Sequence, residues 1–246
     1  MKGIRHMLVL VLVLPLVMGV VSCNLVKEAV PTEITVYGVL GEMGPATGSF
    51  AQYVPGGLPA SWDTVRVQSG AFYFLANTDV LDSALVIVDQ DTLTYDDSLQ
   101  LYYNPVSSGV PVPGPLHFIL GQTAVRVIKG DIDLVFTLPT GASLDTLRVV
   151  PDTVRAGSTF TIQVRSTGTP DSIVIQLTSG AASWDTVVQA SSVDLTPPDS
   201  FVASLQTGLL QVTATAIKTE TGLENVTPVS ALVISRARVA EVPILP

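Results

Sequence analysis

The sequence predicts an all-β protein with two β-sandwich domains that follow an apolar N-terminal helix. Only 13% of the residues are charged, against roughly 25% in typical soluble domains, and the chain is rich in Val, Thr, Leu and Ser. From residue 33 onward, short apolar or alternating runs lie between Gly, Pro, Asp and Ser, without extended helical spacing. Because β-branched residues fit the pleated surface of a sheet, this composition favours strands.

Residues 1–22 supply the N-terminal helix and have the composition of a signal peptide. Lys2 and Arg5 give the start of the chain a positive charge, and residues 7–21 form an uncharged, mostly apolar run. This run is shorter than the roughly 20 residues that a membrane-spanning helix needs. We therefore expect a cleaved signal helix rather than a permanent transmembrane anchor.

The apolar run ends at Cys23, the only cysteine in the sequence. Val20-Val21-Ser22-Cys23 resembles the lipobox of bacterial envelope lipoproteins, with valine in the place where leucine is commonest. The resemblance implies cleavage between Ser22 and Cys23, a diacylglycerol on the Cys23 sulfur, and a further acyl chain such as palmitate on the new amino terminus. Several acyl chains anchor a protein stably, where one binds only marginally. The alternative is an ordinary cleavage site beside an incidental cysteine.

A chain anchored in this way would lie in the bacterial cell envelope outside the cytoplasm, with residues 23–32 as an acylated tether. The sequence leaves the choice between inner and outer membrane open. Loss of residues 1–22 would change the net charge from −9 to −11, because Lys2 and Arg5 would be removed. An acidic surface repels phosphate backbones, so we expect the membrane as a partner and no nucleic acid.

The first β-sandwich domain is predicted over residues 33–139. Its predicted strands are Glu33–Leu40, Phe50–Val54, Thr64–Val67, Ala71–Leu75, Ala84–Val88, Leu99–Tyr103, Leu116–Leu120, Thr123–Ile128 and Ile132–Leu138. The segments Ser83–Asp89, Asp91–Leu93 and Pro113–Phe118 resemble the transthyretin-like or immunoglobulin-like domains that lie near the lipid anchor of many surface lipoproteins.

The second domain is predicted over residues 143–240, after the turn-forming connector Pro139-Thr140-Gly141-Ala142. Its predicted strands are Leu144–Val149, Thr159–Arg165, Ser172–Leu177, Asp185–Gln189, Phe201–Leu205, Leu209–Ile217 and Val229–Val239. Val150–Ile162, a strand and a turn at Gly157 that leads into an alternating strand, resembles a bacterial immunoglobulin-like domain. In Thr159–Arg165 the apolar side chains alternate with polar ones, so they are expected to face a core. A single cysteine allows no intramolecular disulfide, so packing alone must hold the sheets together.

The sequence offers no catalytic constellation. A hydrolase triad needs a base, and residues 23–246 contain one histidine, His117, while no serine lies in a Gly-x-Ser-x-Gly turn. There is also no glycine-rich phosphate loop and no dinucleotide-binding motif. We therefore expect no enzymatic activity and no cofactor.

Four aspartates are weak candidates for a calcium site: Asp89, Asp91, Asp96 and Asp97. Carboxylate oxygens are the ligands that Ca²⁺ prefers, but this stretch lacks the EF-hand spacing and the glycine at its turn. Solvated turn residues explain the same pattern, and we expect no metal.

These observations favour a lipid-anchored envelope protein that displays β-sandwich domains for binding or structural interaction, with a protein or a glycan as partner. The alternative is an accessory lipoprotein that binds or processes glycans. Carboxylate pairs such as Asp131 and Asp133 could serve glycan chemistry, and aromatic side chains could stack on sugars. Aromatic residues make up only 6% of the chain, which argues against a dedicated sugar-binding module.

Overall fold

The computed structural model describes residues 32–46, 67–104 and 115–246. Of these residues 62% are in strands and 2% in helix, so the predicted all-β class is confirmed. The strands are β1 (Ile34–Ala46), β2 (Val67–Ala76), β3 (Asp79–Val80), β4 (Leu85–Val88), β5 (Asp91–Asp96), β6 (Leu101–Tyr103), β7 (Ala124–Lys129), β8 (Ile132–Thr137), β9 (Ser143–Val150), β10 (Val154–Arg155), β11 (Thr161–Thr167), β12 (Ser172–Ser179), β13 (Ala182–Val188), β14 (Ser192–Leu195), β15 (Gly208–Thr221) and β16 (Ala231–Leu245). One short helix, α1 (Asp199–Val202), lies between β14 and β15.

A single large sheet joins the two halves of the chain. Its strand order is β13-β12-β15-β16-β1-β2-β6-β5-β4-β7-β8, and a separate three-stranded sheet has the order β14-β11-β9. The strands β1 and β16 run parallel, with Tyr37 opposite Ala231 and Met43 opposite Ala237. On its other edge β1 pairs antiparallel with β2. The first and last strands of the described fold are therefore neighbours.

Two hydrophobic cores lie on this sheet. Core 1 consists of buried residues between Ile34 and Leu138, together with Leu232 and Ile234 of β16. Core 2 consists of buried residues between Ala142 and Ala216, together with Val242 and Ile244 of β16. Because alternate residues of a strand share a face, both cores lie on the same face of β16.

The change from one core to the other falls at the predicted connector, between Leu138 and Ala142. Within the connector, Thr140 is exposed, Pro139 and Gly141 are half-buried, and Ala142 is 1% exposed. Residues 32–246 also form one compact unit, because β15 and β16 pair along their whole length and β16 contributes to both cores. The division into independent domains at 33–139 and 143–240 stays a prediction.

The strand predicted at Phe201–Leu205 is wrong. Residues 199–202 form α1, and the Pro198 carbonyl accepts hydrogen bonds from the backbone N–H groups of Phe201 and Val202. Phe201 and Val202 are both buried against core 2, which a helical turn permits and a strand does not, because neighbouring strand residues point to opposite faces. Pro198 and Asp199 at the helix start are the sequence signal for it.

In the described ranges, no helix has the length and apolar character to cross a membrane.

The strand predicted at Leu116–Leu120 is extended but belongs to neither sheet. Exposed and buried side chains alternate as expected. The Leu116 N–H donates to the Gln68 backbone carbonyl of β2, and side chains bond to the two residues that follow. The Gln68 amide donates to the Phe118 carbonyl and accepts from the Phe118 N–H, and the Asp91 carboxylate accepts from the His117 N–H. Alternation thus predicted the faces correctly but not the pairing.

Four of the described strands were missed: β3, β5, β10 and β14. Two of them, β5 and β14, have only two apolar residues each, too few for the alternation to be recognised. Each completes a sheet by pairing: β5 bridges β4 and β6, and β14 pairs with β11. The predicted strand Phe50–Val54, most of Thr64–Val67 and the signal helix over 1–22 lie outside the described residues.

Candidate functional site

The predicted lipidation and cleavage residues, Ser22 and Cys23, lie outside the described residues. The lipobox interpretation therefore stays a prediction.

The four aspartates proposed as weak metal candidates occupy one hairpin and the turn after it. Asp89 lies in the turn between β4 and β5, Asp91 and Asp96 are the first and last residues of β5, and Asp97 follows in an exposed turn. The side chain of Asp91 lies 3.0 Å from Nδ1 of His117, whose side chain is 75% exposed. Within residues 32–46, 67–104 and 115–246, no three metal-binding side chains converge.

Asp96 has a structural role instead, since it organises the turn between β5 and β6. Its Oδ1 accepts hydrogen bonds from the Ser98 hydroxyl and from the backbone N–H groups of Ser98 and Leu99. Its Oδ2 accepts one from the Tyr103 hydroxyl at 2.9 Å. These donors favour the charged carboxylate, with the Ser98 hydroxyl first among them, and lower the pKa of Asp96 to about 2.

Replacing Asp96 with Asn should lower the melting temperature at neutral pH, because the charged acceptor is lost. A depressed pKa contributes stability above the ordinary value of 3.8 and loses it as the pH falls to about 2. The difference in melting temperature between wild type and Asp96→Asn should therefore shrink over that range. Calorimetry across the pH series measures it, with Asp97→Asn as the matched control at the exposed neighbour. A difference that is constant with pH would contradict this role.

The described aromatic and acidic side chains do not form an exposed sugar-stacking surface. Every described aromatic side chain is buried or half-buried; Tyr73 and Tyr103, for example, are 8% and 6% exposed. Trp184 packs towards Phe201, with ring centroids 6.4 Å apart. In the carboxylate pair Asp131 and Asp133, the second residue is engaged in a two-point ion pair with Arg126.

A cleft of about 170 Å³ lies where the two cores meet, and we call it the junction cleft. It is formed by the end of β1, the start of β9 and the middle of β16. Its lining residues are Glu42, Gly44, Ser143, Leu144, Asp145, Arg236, Ala237 and Arg238. The cleft follows from the sequence of β16, in which two charged residues interrupt an apolar face. The residues on that face are Leu232, Ile234, Arg236, Arg238, Ala240, Val242 and Ile244.

Arg236 and Glu42 both line the cleft and lie side by side, because β1 and β16 place them in register. Their side chains are only 17% and 10% exposed, and Arg236 Nε lies 3.6 Å from Glu42 Oε1. The other oxygen of Glu42 accepts a hydrogen bond from the Gln68 amide at 2.9 Å. Glu42 thus has a donor on β2, while Arg236 Nε is buried without a hydrogen-bond partner among the described residues.

Arg238 and the start of β9 form the rim. Arg238 Nη1 donates to the Asp145 backbone carbonyl at 2.7 Å, which attaches the first residues of β9 to β16. The Ser143 hydroxyl lies 2.7 Å from the Thr167 hydroxyl, which in turn donates to the Asp145 carboxylate. The rim is therefore fixed by hydrogen bonds on both sides.

Arg236, Arg238 and Glu42 were not among the site residues predicted from the sequence. The sequence does contain a signal for the two arginines. They are two residues apart in β16, so they lie on the same face of the strand, and they interrupt an otherwise apolar pattern there. Chemically, the arrangement provides guanidinium donors, which suit the binding of a negatively charged oxygen acceptor. No protein-family model matches this chain, and no curated protein matches it either.

Proposed function

We propose that this protein is a lipid-anchored, non-catalytic component of the bacterial cell envelope that presents its β-sandwich domains for binding or structural interaction. The observation that carries the proposal is the position of β1. This strand begins two residues after the proposed tether over 23–32 and lies between β16 and β2 in the large sheet. An anchor at Cys23 would therefore connect the membrane to β1, a central strand that has one half of the large sheet on each side.

The buried polar contacts at the start of β1 support the same role. The Ser230 hydroxyl, which is fully buried, accepts a hydrogen bond from the Val36 N–H at 3.0 Å. The Thr227 N–H donates to the Ile34 carbonyl, and the Thr35 and Thr227 hydroxyls lie 2.8 Å apart. These bonds hold the strand that leaves the tether against the segment that leads into β16, so the tethered end is firmly attached.

The non-catalytic part of the proposal is supported by the surroundings of His117. Its imidazole lies beside the Asp91 carboxylate, and no hydroxyl nucleophile hydrogen-bonds to it among the described residues. The side chain is also largely exposed, which gives it no buried pocket in which to bind a substrate.

Replacing Cys23 with Ser should abolish acylation, since serine lacks the thiol to which the diacylglycerol would be attached. In bacteria that express the full chain, metabolic labelling with palmitate and partitioning into detergent should both be lost. The matched control is Ser22→Ala, which keeps a small residue before the cleavage site and should be labelled as the wild type is. Labelling of Cys23→Ser at the wild-type level would refute lipid anchoring at this cysteine.

A further inference from the structure

The strand β13 lies at one end of the large sheet, and its outer edge has no partner strand among the described residues. There it pairs with β12 alone, in a regular register that places Ile173 opposite Val188 and Ser179 opposite Ala182. In an antiparallel pair, every second residue directs its N–H and C=O groups away from the partner strand. No described residue outside β12 bonds to the backbone of β13, so about half of its seven residues offer backbone donors and acceptors to a further strand.

The other three end strands differ, because side chains bond to their backbones. In β8 the Val135 carbonyl accepts a hydrogen bond from the Asn225 amide at 2.8 Å. In β9 the Asp145 carbonyl accepts one from Arg238, and a carbonyl of β14 accepts one from Arg165. The strand β13 also contains neither lysine nor proline nor a bulge, which are features by which proteins discourage pairing at a sheet edge.

The exposed face of β13 carries an aspartate without a cation beside it. Asp185 is exposed in the middle of the strand, and no described side chain forms an ion pair with it. The aspartate of β8, Asp133, pairs with Arg126. The aspartate of β14, Asp194, pairs with Arg165. A strand added to β13 would place one side chain directly opposite Asp185, with about 5 Å between the two Cβ atoms, and a lysine or arginine there would supply the missing positive charge.

Two residues further along the same face, Val187 provides an apolar contact. Its side chain is 60% exposed, and Val174 of β12 lies opposite it in the register. An apolar side chain on the added strand would cover Val187 and remove apolar surface from water. This face therefore fits a strand in which a basic and an apolar residue are separated by one residue.

A second copy of the chain fits this edge less well. The chain carries a net charge of −9 at pH 7, so two copies repel each other. Because β13 contains no basic residue, pairing with a second β13 would leave Asp185 without a positive charge. In the register centred on Asp185, two aspartates would lie directly opposite each other, which is destabilising. A segment of another protein that carries a basic residue avoids both costs.

We propose that the edge of β13 binds an extended segment of a partner protein, which adds a strand to the large sheet. The segment places a basic residue opposite Asp185 and an apolar residue opposite Val187. Backbone hydrogen bonds supply affinity, and the two side chains supply specificity. This inference rests on the binding role proposed above and gives it a partner class, and its test does not depend on lipidation at Cys23.

The test uses the full chain, labelled with ¹⁵N, and the peptide Lys-Thr-Val-Thr-Lys-Thr-Val-Thr with blocked ends. In an extended conformation, the lysines and valines of this peptide share one face and the threonines the other. We expect the peptide to slow hydrogen exchange of the N–H groups of β13 more than those of the other end strands, with a dissociation constant of about 0.1–1 mM. The same peptide with glutamate in place of lysine should bind about three- to tenfold more weakly.

Asp185→Lys should reverse this preference, so that the glutamate peptide binds more tightly than the lysine peptide. Because Asp185 is exposed, the variant should fold as the wild type does. The matched control is Asp131→Lys, in the exposed turn before β8, which makes the same change in net charge and should leave the preference for the lysine peptide unchanged. A peptide with proline in place of each threonine keeps the charges but lacks half of the backbone donors, and should not bind.

Four results would overturn the proposal. The first is unchanged exchange in β13 at millimolar concentrations of the lysine peptide. The second is exchange in β13 that slows with protein concentration alone, together with a dimer in sedimentation, since a second copy would then occupy the edge. The third is equal binding of the proline peptide, which would mean that charge alone attracts it. The fourth is the same preference between the lysine and glutamate peptides in the wild type and in Asp185→Lys. None of these results bears on palmitate labelling, so failure of this inference is distinguishable from failure of the anchoring proposal.

Discussion

Residues 142–246 are expected to fold as an isolated fragment, whereas residues 32–139 are expected to remain unfolded on their own. The described members of core 2 all lie between Ala142 and Ile244, so the C-terminal fragment keeps its complete core. Core 1 takes Leu232 and Ile234 from β16, and Leu223 and Val226 pack against it. The N-terminal fragment would lose these residues and the parallel partner of β1.

The expected effect is large because the stability of a domain is small. Burying Leu232 and Ile234 contributes about 1.5–3 kcal/mol for each side chain, against a total of about 5–15 kcal/mol for a typical protein. Without β16, the strand β1 would also become an open sheet edge, and its Val36 N–H would lose the Ser230 hydroxyl.

Circular dichroism and amide hydrogen exchange on the two fragments measure this outcome. Mixing the fragments is the control, because the C-terminal fragment should restore slow exchange in β1 by supplying β16. Cooperative unfolding of the isolated 32–139 fragment would mean that β16 is dispensable for core 1. An unfolded 142–246 fragment would mean that the two cores depend on each other.

Gly168→Ala is expected to destabilise the protein much more than Gly157→Ala, although both glycines have nearly the same backbone conformation. Gly168 has a φ of +75° and Gly157 a φ of +74°, so alanine costs about 1–2 kcal/mol at either position from left-handed geometry alone. A Cβ on Gly168 would lie 2.7 Å from the Gly141 carbonyl oxygen and 3.2 Å from Ala142 Cα. At Gly157 a Cβ would meet nothing within 4 Å.

The additional cost at Gly168 should be about 1–3 kcal/mol, the usual penalty for overpacking, since backbone atoms of the connector cannot rotate away. Urea unfolding of the two variants and the wild type gives the free energies. Equal destabilisation by Gly168→Ala and Gly157→Ala would show that the connector moves freely, and would contradict the close packing of Gly168 against Gly141 and Ala142.

The faces of the strands were predictable because alternation is a local property of the sequence. The predicted inward residues Ile162 and Val164 of β11 are both 0% exposed, and Phe160 just before the strand is 3% exposed, which confirms the expected face. The same reasoning failed for α1, where two neighbouring buried residues follow a proline. It also missed β5 and β14, in which only two apolar residues alternate and pairing with a neighbouring strand completes the sheet.

The candidate site was not predictable to the same extent. Arg236 and Arg238 lie on the buried face of β16, which the alternating pattern of that strand could have indicated. Their neighbours Glu42 and Ser143 come from distant parts of the sequence and carry no local sign of the contact. The metal candidates Asp91 and Asp96 are five residues apart on one strand, and an odd spacing directs side chains to opposite faces.

Composition and alternation predicted that the chain forms strands, and that Phe160, Ile162 and Val164 face a core. The pairing of β16 with β1, which brings Arg236 beside Glu42, could be read from the folded chain alone. The physical reason is that alternation is a local pattern, visible within a few residues of one strand. It does not select a partner, because a strand with an apolar face can pair with any other strand whose apolar side chains lie on the same face of the sheet. The choice among partners depends on the packing of both cores at once, and β16 contributes side chains to each.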